Sequence, residues 1–178
     1  MSTRACYRFI PENGPNDFPS VVTVYKHHDG YPKGAAQAIE AALPFAFRLP
    51  RFEADEFAAA FVRANKKNAD DYAQDYETWA TETADPEKKA ACLAVADRYR
   101  KEKAYRESVQ GGGLRLVPFE GPDAYQRFAS DIAYLYDIRC VGGKLQVTAY
   151  TPSEHDGAWT LEKFFEGSLR QLARRTAP

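Results

Sequence analysis

Asp131-Ile-Ala-Tyr-Leu-Tyr-Asp-Ile-Arg-Cys-Val-Gly-Gly-Lys-Leu-Gln-Val-Thr-Ala-Tyr150 reads as a β-hairpin directly from its residue types. Gly142-Gly143 supplies a two-residue turn, since both central positions of the favoured hairpin turns call for φ > 0. Folded about that turn, Cys140 faces Leu145, Ile138 faces Val147 and Tyr136 faces Ala149. Asp137, Arg139, Gln146 and Thr148 fall on the other side. A slip of one residue would carry the whole apolar set to the wrong face, so the pattern specifies its own register.

Toward the C-terminus, Thr151–Ala158 reads as a polar loop. Leu161, Phe164, Phe165, Ser168, Leu169 and Leu172 then recur at helical spacing, which predicts a last helix over Thr160–Leu172. Thr160 would be its N-cap, and it would lie on the sheet face that bears Ile138 and Val147. Before the hairpin, Leu114–Phe119 is strand-like and Gly121-Pro122-Asp123 a turn. Ala124–Ser130 is either a single helical turn or irregular.

The first half of the chain supplies two more strands. Ala5–Ile10 alternates, and Ser20–His28 is rich in β-branched and aromatic residues. The loop Pro11–Pro19 between them is short enough to make an antiparallel hairpin the economical pairing. Ala35, Ile39, Ala42 and Leu43 predict a short helix that Pro44 ends. Phe45, Phe47, Leu49 and Phe52 follow as an apolar connector expected to tuck under the next helix. A helical pattern runs from about Glu53 to Ala80, with a kink expected at Asn65–Asn68. Asp85-Pro86 opens a second helix, an N-cap followed by Pro at the first helical position. It extends to about Gln110, where Gly111-Gly112-Gly113 stops it. Acidic Asp70, Asp71, Asp75 and Glu77 would face basic residues such as Arg98, Arg100, Lys101 and Lys103 across a helical hairpin. The fold class is therefore α+β. About five strands form an antiparallel sheet, helices pack on one face, and residues 53–110 form an inserted helical hairpin in one domain spanning 1–178.

At 178 residues the chain is long enough to bury a core. A net charge of −1 makes nucleic acid an unlikely direct partner. Eleven Tyr and eleven Phe exceed what a minimal core needs, so some are expected on a surface that binds something, unless they simply suit the strands. The start Met1-Ser-Thr-Arg-Ala has no apolar h-region, and no run is long enough to span a bilayer. Cys6, Cys92 and Cys140 are widely spaced among apolar neighbours, as suits reduced, buried thiols in a cytoplasmic protein. Neither cofactor nor metal is expected.

Chemistry concentrates at His27-His28-Asp29-Gly30-Tyr31-Pro32-Lys33, between the second strand and the first helix. Three uses are open. His27 or His28 could bind zinc with His155 and a carboxylate if their loops met, although adjacent strand residues point to opposite faces. A His oriented by Asp29 could act as acid or base, but no nucleophile accompanies it. The third reading is structural: Asp29-Gly30 turns, Tyr31-Pro32 stacks back on the sheet and a His caps the helix. That reading still allows recognition. No catalytic residue is assigned, and the candidate binding residues are His27, His28, Asp29, Tyr31 and Lys33 at the turn, with Arg98, Arg100 and Lys101 on the second long helix.

Arg4-Ala5-Cys6-Tyr7-Arg8-Phe9, Val24-Tyr25-Lys26-His27-His28-Asp29-Gly30-Tyr31-Pro32 and Tyr134-Leu135-Tyr136 together resemble a group of small phage and prophage proteins. The resemblance covers the first forty residues and the late hairpin, and it carries over no catalytic residue. It implies a bacterial mobile-element protein acting in the host cytoplasm. From that context comes the expectation of a factor that binds and inhibits a host protein machine, in counter-defence of the anti-CRISPR kind and without enzymatic activity. The alternative is a small-molecule or nucleotide-binding protein, sequestering or enzymatic, that uses the His27–Lys33 turn.

Overall fold

The computed structural model describes residues 3–12, 21–66, 68–108, 113–117, 125–126 and 128–175. The expected loop at 13–19, the turn at 121–123, the end of the long helix at 109–110 and Gly111-Gly112 lie outside them. The chain forms two compact units, one from Met1–Asn65 with Gly113–Pro178 and one from Lys66–Gly112.

The first unit is a sheet of six strands: β1 Ala5–Phe9, β2 Val22–Lys26, β3 Leu114–Val117, β4 Tyr134–Val141, β5 Lys144–His155 and β6 Ala158–Gly167. Their order is β3-β2-β1-β4-β5-β6. The β4–β5 hairpin has the expected register, with Cys140 opposite Leu145, Ile138 opposite Val147 and Tyr136 opposite Ala149. Strands β1 and β2 pair antiparallel, also as expected. Two features of the expected sheet need correction. It has six strands rather than five, and it is mixed, because β4 runs parallel to β1. A parallel neighbour needs a long connection, which the chain between β2 and β4 supplies. Strand β1 is accordingly buried along its whole length, as a central strand covered on both faces must be.

The sixth strand lies where a helix was expected. Residues Ala158–Gly167 pair with β5, and only Leu169–Ala173 is helical (α6). The physical reason is a bulge. Ala149 pairs with Phe165 but Tyr150 with Lys163, which leaves Phe164 as an extra residue. The bulge shifts the strand's two-residue alternation by one. Apolar residues at 161, 164 and 165 thereby imitate helical spacing. The helix cap is Ser168 rather than Thr160, in a capping box with Gln171.

Three helices cover one sheet face. Helix α2, Ala54–Asn65, and α6 pack on the strands, and α1, Pro32–Ala42, packs against both. Phe61 and Phe57 of α2 meet Tyr7 and Phe9 at ring separations of 4.6 and 5.5 Å, and Tyr7 stacks on Tyr136. On the other face Cys6, Tyr25, Val117 and Leu135 pack with Tyr125 and Ile132. Arg8 and Asp137, register partners across β1 and β4, form a buried ion pair at 2.6 Å on this second face. The connector after α1, which continues as a 3-10 turn over Leu43–Phe45, meets α2 as expected at Phe52, whose ring lies 5.2 Å from that of Phe57, but not at its first two aromatics. Phe45 and Phe47 stay exposed, with Arg63 and Arg51 stacked on their rings.

The second unit holds α3 Ala69–Glu82, α4 Pro86–Lys101 and the short α5 Lys103–Arg106. Instead of a kink at Asn65–Asn68 there is a break, with Asn68 capping α3 through the Asp70 amide. Asp85 caps α4 as expected. Helices α3 and α4 run antiparallel: Tyr72 stacks on Tyr99, Arg100 reaches both Glu77 oxygens at 2.5 and 2.8 Å, and Lys103 pairs with Asp70. Among the described residues no helix is long and apolar enough to cross a membrane.

Candidate functional site

The candidate site grows from the end of β2, where alternation sends successive side chains to opposite faces of the sheet. Tyr25 and His27 go to one face and Lys26 to the other. Asp29 then takes φ 55, a left-handed conformation that Asp tolerates better than most residues. Gly30 follows where a Cβ would stand 2.7 Å from the Ala5 Cβ, and Gly34 where one would stand 2.3 Å from the Asp29 carbonyl oxygen. Only glycine allows the turn to fold so closely onto β1 and onto the start of α1. Two bonds hold it: the Gly30 amide donates to the Thr3 carbonyl at 2.8 Å, and the Tyr136 hydroxyl donates to the Gly30 carbonyl at 2.7 Å.

On the Tyr25 side is a chain of polar groups. The Tyr25 hydroxyl donates to Asp131 Oδ2 at 2.7 Å, and Arg4 pairs with the same carboxylate. His27 Nδ1 lies 3.0 Å from the Tyr25 oxygen. Because the phenol's only proton goes to Asp131, His27 must donate through Nδ1–H. Burial, then the bond to Asp131, push the Tyr25 phenol up, so it remains a donor. The His28 ring meets His27 edge-on at 4.6 Å.

On the opposite side Lys26, Asp29, Tyr31, Gly34, Gln37, Ala38 and Asn65 line a polar cleft of about 320 Å³. Lys26 Nζ donates to the His28 carbonyl at 2.6 Å. Burial holds its ammonium below the ordinary lysine range, and the Asp29 charge pulls it partly back. The Asn65 amide is anchored to the Ala38 and Phe61 carbonyls, which leaves its oxygen as an acceptor.

The expected site residues are thus divided. Asp29 and Tyr31 share the cleft, whereas His27 and His28 join the Tyr25 group. Lys33 is exposed and does not line the cleft. Neither His caps α1; Tyr31 holds the N-cap position without a side-chain bond, and at 41% exposure it does not stack back on the sheet. His155 sits at the β5–β6 turn, 3.7 Å from Glu162, and among the described residues no three His, Cys, Asp or Glu side chains gather to hold a metal. Arg98, Arg100 and Lys101 lie in the helical unit, where Glu77 engages Arg100 and Asp97 engages Lys101. Cys6 offers no thiolate: burial pushes its thiol up to about 12.

Sequence reasoning missed Lys26, Gln37 and Asn65 in the cleft and Asp131 beside Tyr25. Lys26 did carry a signal, being a charged residue in phase with Val22 and Val24. Asp131 carried none, since 106 positions separate it from Tyr25. Compared with protein-family models, curated proteins and solved structures, the chain matches none.

Proposed function

We propose that this is a phage or mobile-element accessory protein that binds and inhibits a host protein machine in the bacterial cytoplasm, a counter-defence role of the anti-CRISPR kind. One observation in the helical unit carries the binding reading. Among the described residues, the side chains that unit buries are Ala69, Ala73, Ala80 and Ala96. Tyr72, Tyr76 and Tyr99 stack between the helices, but three other large groups stay out: Trp79 is 51% exposed, Leu93 45% and Tyr105 55%. A helical unit that buries alanines and displays an indole, a phenol and a leucine offers residue types that anchor protein interfaces. Its basic groups are largely spent on neighbouring carboxylates, which supports a protein partner over a phosphate backbone. The mobile-element context comes from the resemblance of the first strands and turn.

The test is capture from bacterial host lysate, paired with inhibition of whatever is captured. The wild-type protein should retain a host protein that the Trp79→Ala/Leu93→Ala/Tyr105→Ala variant loses, with each anchor costing on the order of 1–2 kcal/mol of binding. All three side chains are exposed, so the melting temperature should hold. No capture by the wild type, or equal capture by the variant, overturns the reading.

The polar cleft favours a second reading, binding of a small polar molecule or nucleotide at the His27–Lys33 turn. Its volume lies at the lower end for ligand sites, and it sets a cation, a carboxylate, a phenol and two amides around one space. Asp29→Ala should then abolish ligand-induced thermal stabilisation, seen in a metabolite and nucleotide screen, while leaving the unliganded protein folded. A screen that stabilises nothing removes this reading.

A further inference from the structure

Three stretches far apart in the chain meet at a second cleft in the sheet unit, about 270 Å³ in volume. Leu43 and Leu49 come from the connector, Leu145 from β5 and Leu169 from α6. Gly143, at φ 74, lies against the connector: a Cβ there would stand 3.4 Å from the Pro50 Cβ, at van der Waals contact. The lining is apolar except for Lys144, Ser168 and Arg170.

Charge and hydrogen bonding here are both one-sided. Lys144 and Arg170 are exposed, no carboxylate lines the cleft, and among the described residues neither cation is in an ion pair. This local excess stands out in a chain whose net charge is −1. The Ser168 hydroxyl is committed to Gln171 in the capping box. An extended peptide laid in the cleft would bring amides and carbonyls that find no partner along the leucines, and buried polar groups without partners are costly. A hydrocarbon chain brings none. Its anionic end would meet a guanidinium and an ammonium, the groups that bind carboxylates through charge-assisted hydrogen bonds.

We propose that this cleft binds a medium-chain aliphatic carboxylate, its chain along Leu43, Leu49, Leu145 and Leu169 and its carboxylate on Lys144 and Arg170. The volume matches that of about nine water-sized groups, which suits a chain of similar carbon count. This site shares no residue with the partner surface or the polar cleft, and it stands or falls independently of both.

Decanoate is the probe, titrated below its micellar range into the full-length, methyl-labelled protein. Saturable shifts are expected in the methyl signals of the four leucines. Affinity should rise about fourfold for each methylene added from hexanoate until the cleft is full. Lys144→Glu/Arg170→Glu should weaken decanoate at least tenfold, while decanol binds no better to the wild type than to that variant. Both substituted side chains are exposed, and an unchanged melting temperature confirms the fold. Equal binding of decanoate and decanol, indifference to the double substitution, or shifts confined to other methyl groups overturns the proposal. So does selective binding of a leucine- and glutamate-rich helical peptide with none of decanoate, which would make the occupant a partner protein.

Discussion

Lys26 follows Val22 and Val24 on the face of β2 that turns toward the helices, and its amine pays a desolvation cost there that a methionine would not. In the unfolded chain the amine titrates near the ordinary lysine value of about 10.4; in the folded protein burial lowers it. Between the two values the unfolded chain holds more protons, so stability must rise with pH in that window. Below the folded value both states are charged and the full cost is present; above about 10.4 both are neutral and it is gone. Lys26→Met should therefore stabilise the protein near neutrality, with the gain shrinking as pH approaches the ordinary lysine value. Urea midpoints of wild type and variant across that range check this, and a gain independent of pH would contradict it. The residue was visible in the sequence as a break in an apolar alternation. Gln37 and Asn65, which line the cleft with it, were not, because the packing of α1 against α2 places them there. The Arg8–Asp137 pair shows the same limit more sharply, since neither residue has a local reason to be buried and only the β1–β4 register joins them.

Among the elements, the β4–β5 hairpin was the most legible because turn chemistry and alternation agreed. Gly142 and Gly143 take φ of 57 and 74, the left-handed region that side chains resist. Gly143→Ala should cost about 1–2 kcal/mol, measurable by urea unfolding, whereas Lys144→Ala beside it should change little. Equal effects would mean that the turn conformation is not what glycine secures. Strand β6 was misread for the converse reason: its bulge disrupts the strand period, and a disrupted two-residue period can pass for a helical one. The caps Asp85 and Asn68 illustrate the two levels. Asp85 before Pro86 was readable as a start signal, whereas Asn68 was mistaken for a kink because a poor helix former and a good cap are the same residue type.

Across the whole molecule, the insertion of Lys66–Gly112 leaves the sheet unit at Asn65 and returns to it at Gly113, near Lys26 at the end of β2 and His27 just after it. Asn65 lines the polar cleft with Lys26, and the His27 amide donates to the Gly113 carbonyl at 2.8 Å. A Gly-Ser linker is therefore expected to join 65 to 113. The shortened protein should unfold in one cooperative transition and keep its near-ultraviolet signal from the buried tyrosines. It should also lose partner capture. Retained capture would move the partner surface to the sheet unit, and failure to fold would show that the sheet depends on the helices.

The sequence by itself determined what local chemistry controls: the glycine hairpin and its register, the first hairpin, the α1 segment, the Asp85 cap and the charge pattern of the helical pair. Those features depend on alternation, on φ preference and on neighbours a few positions apart. Only the tertiary structure decided that β4 lies parallel to β1, that Arg8 and Asp137 meet in the interior, and that Phe164 bulges out of β6. The first two join residues more than a hundred positions apart, and the third turns on how β6 meets β5; in each, burial and register select the neighbour and local spacing carries no trace of it.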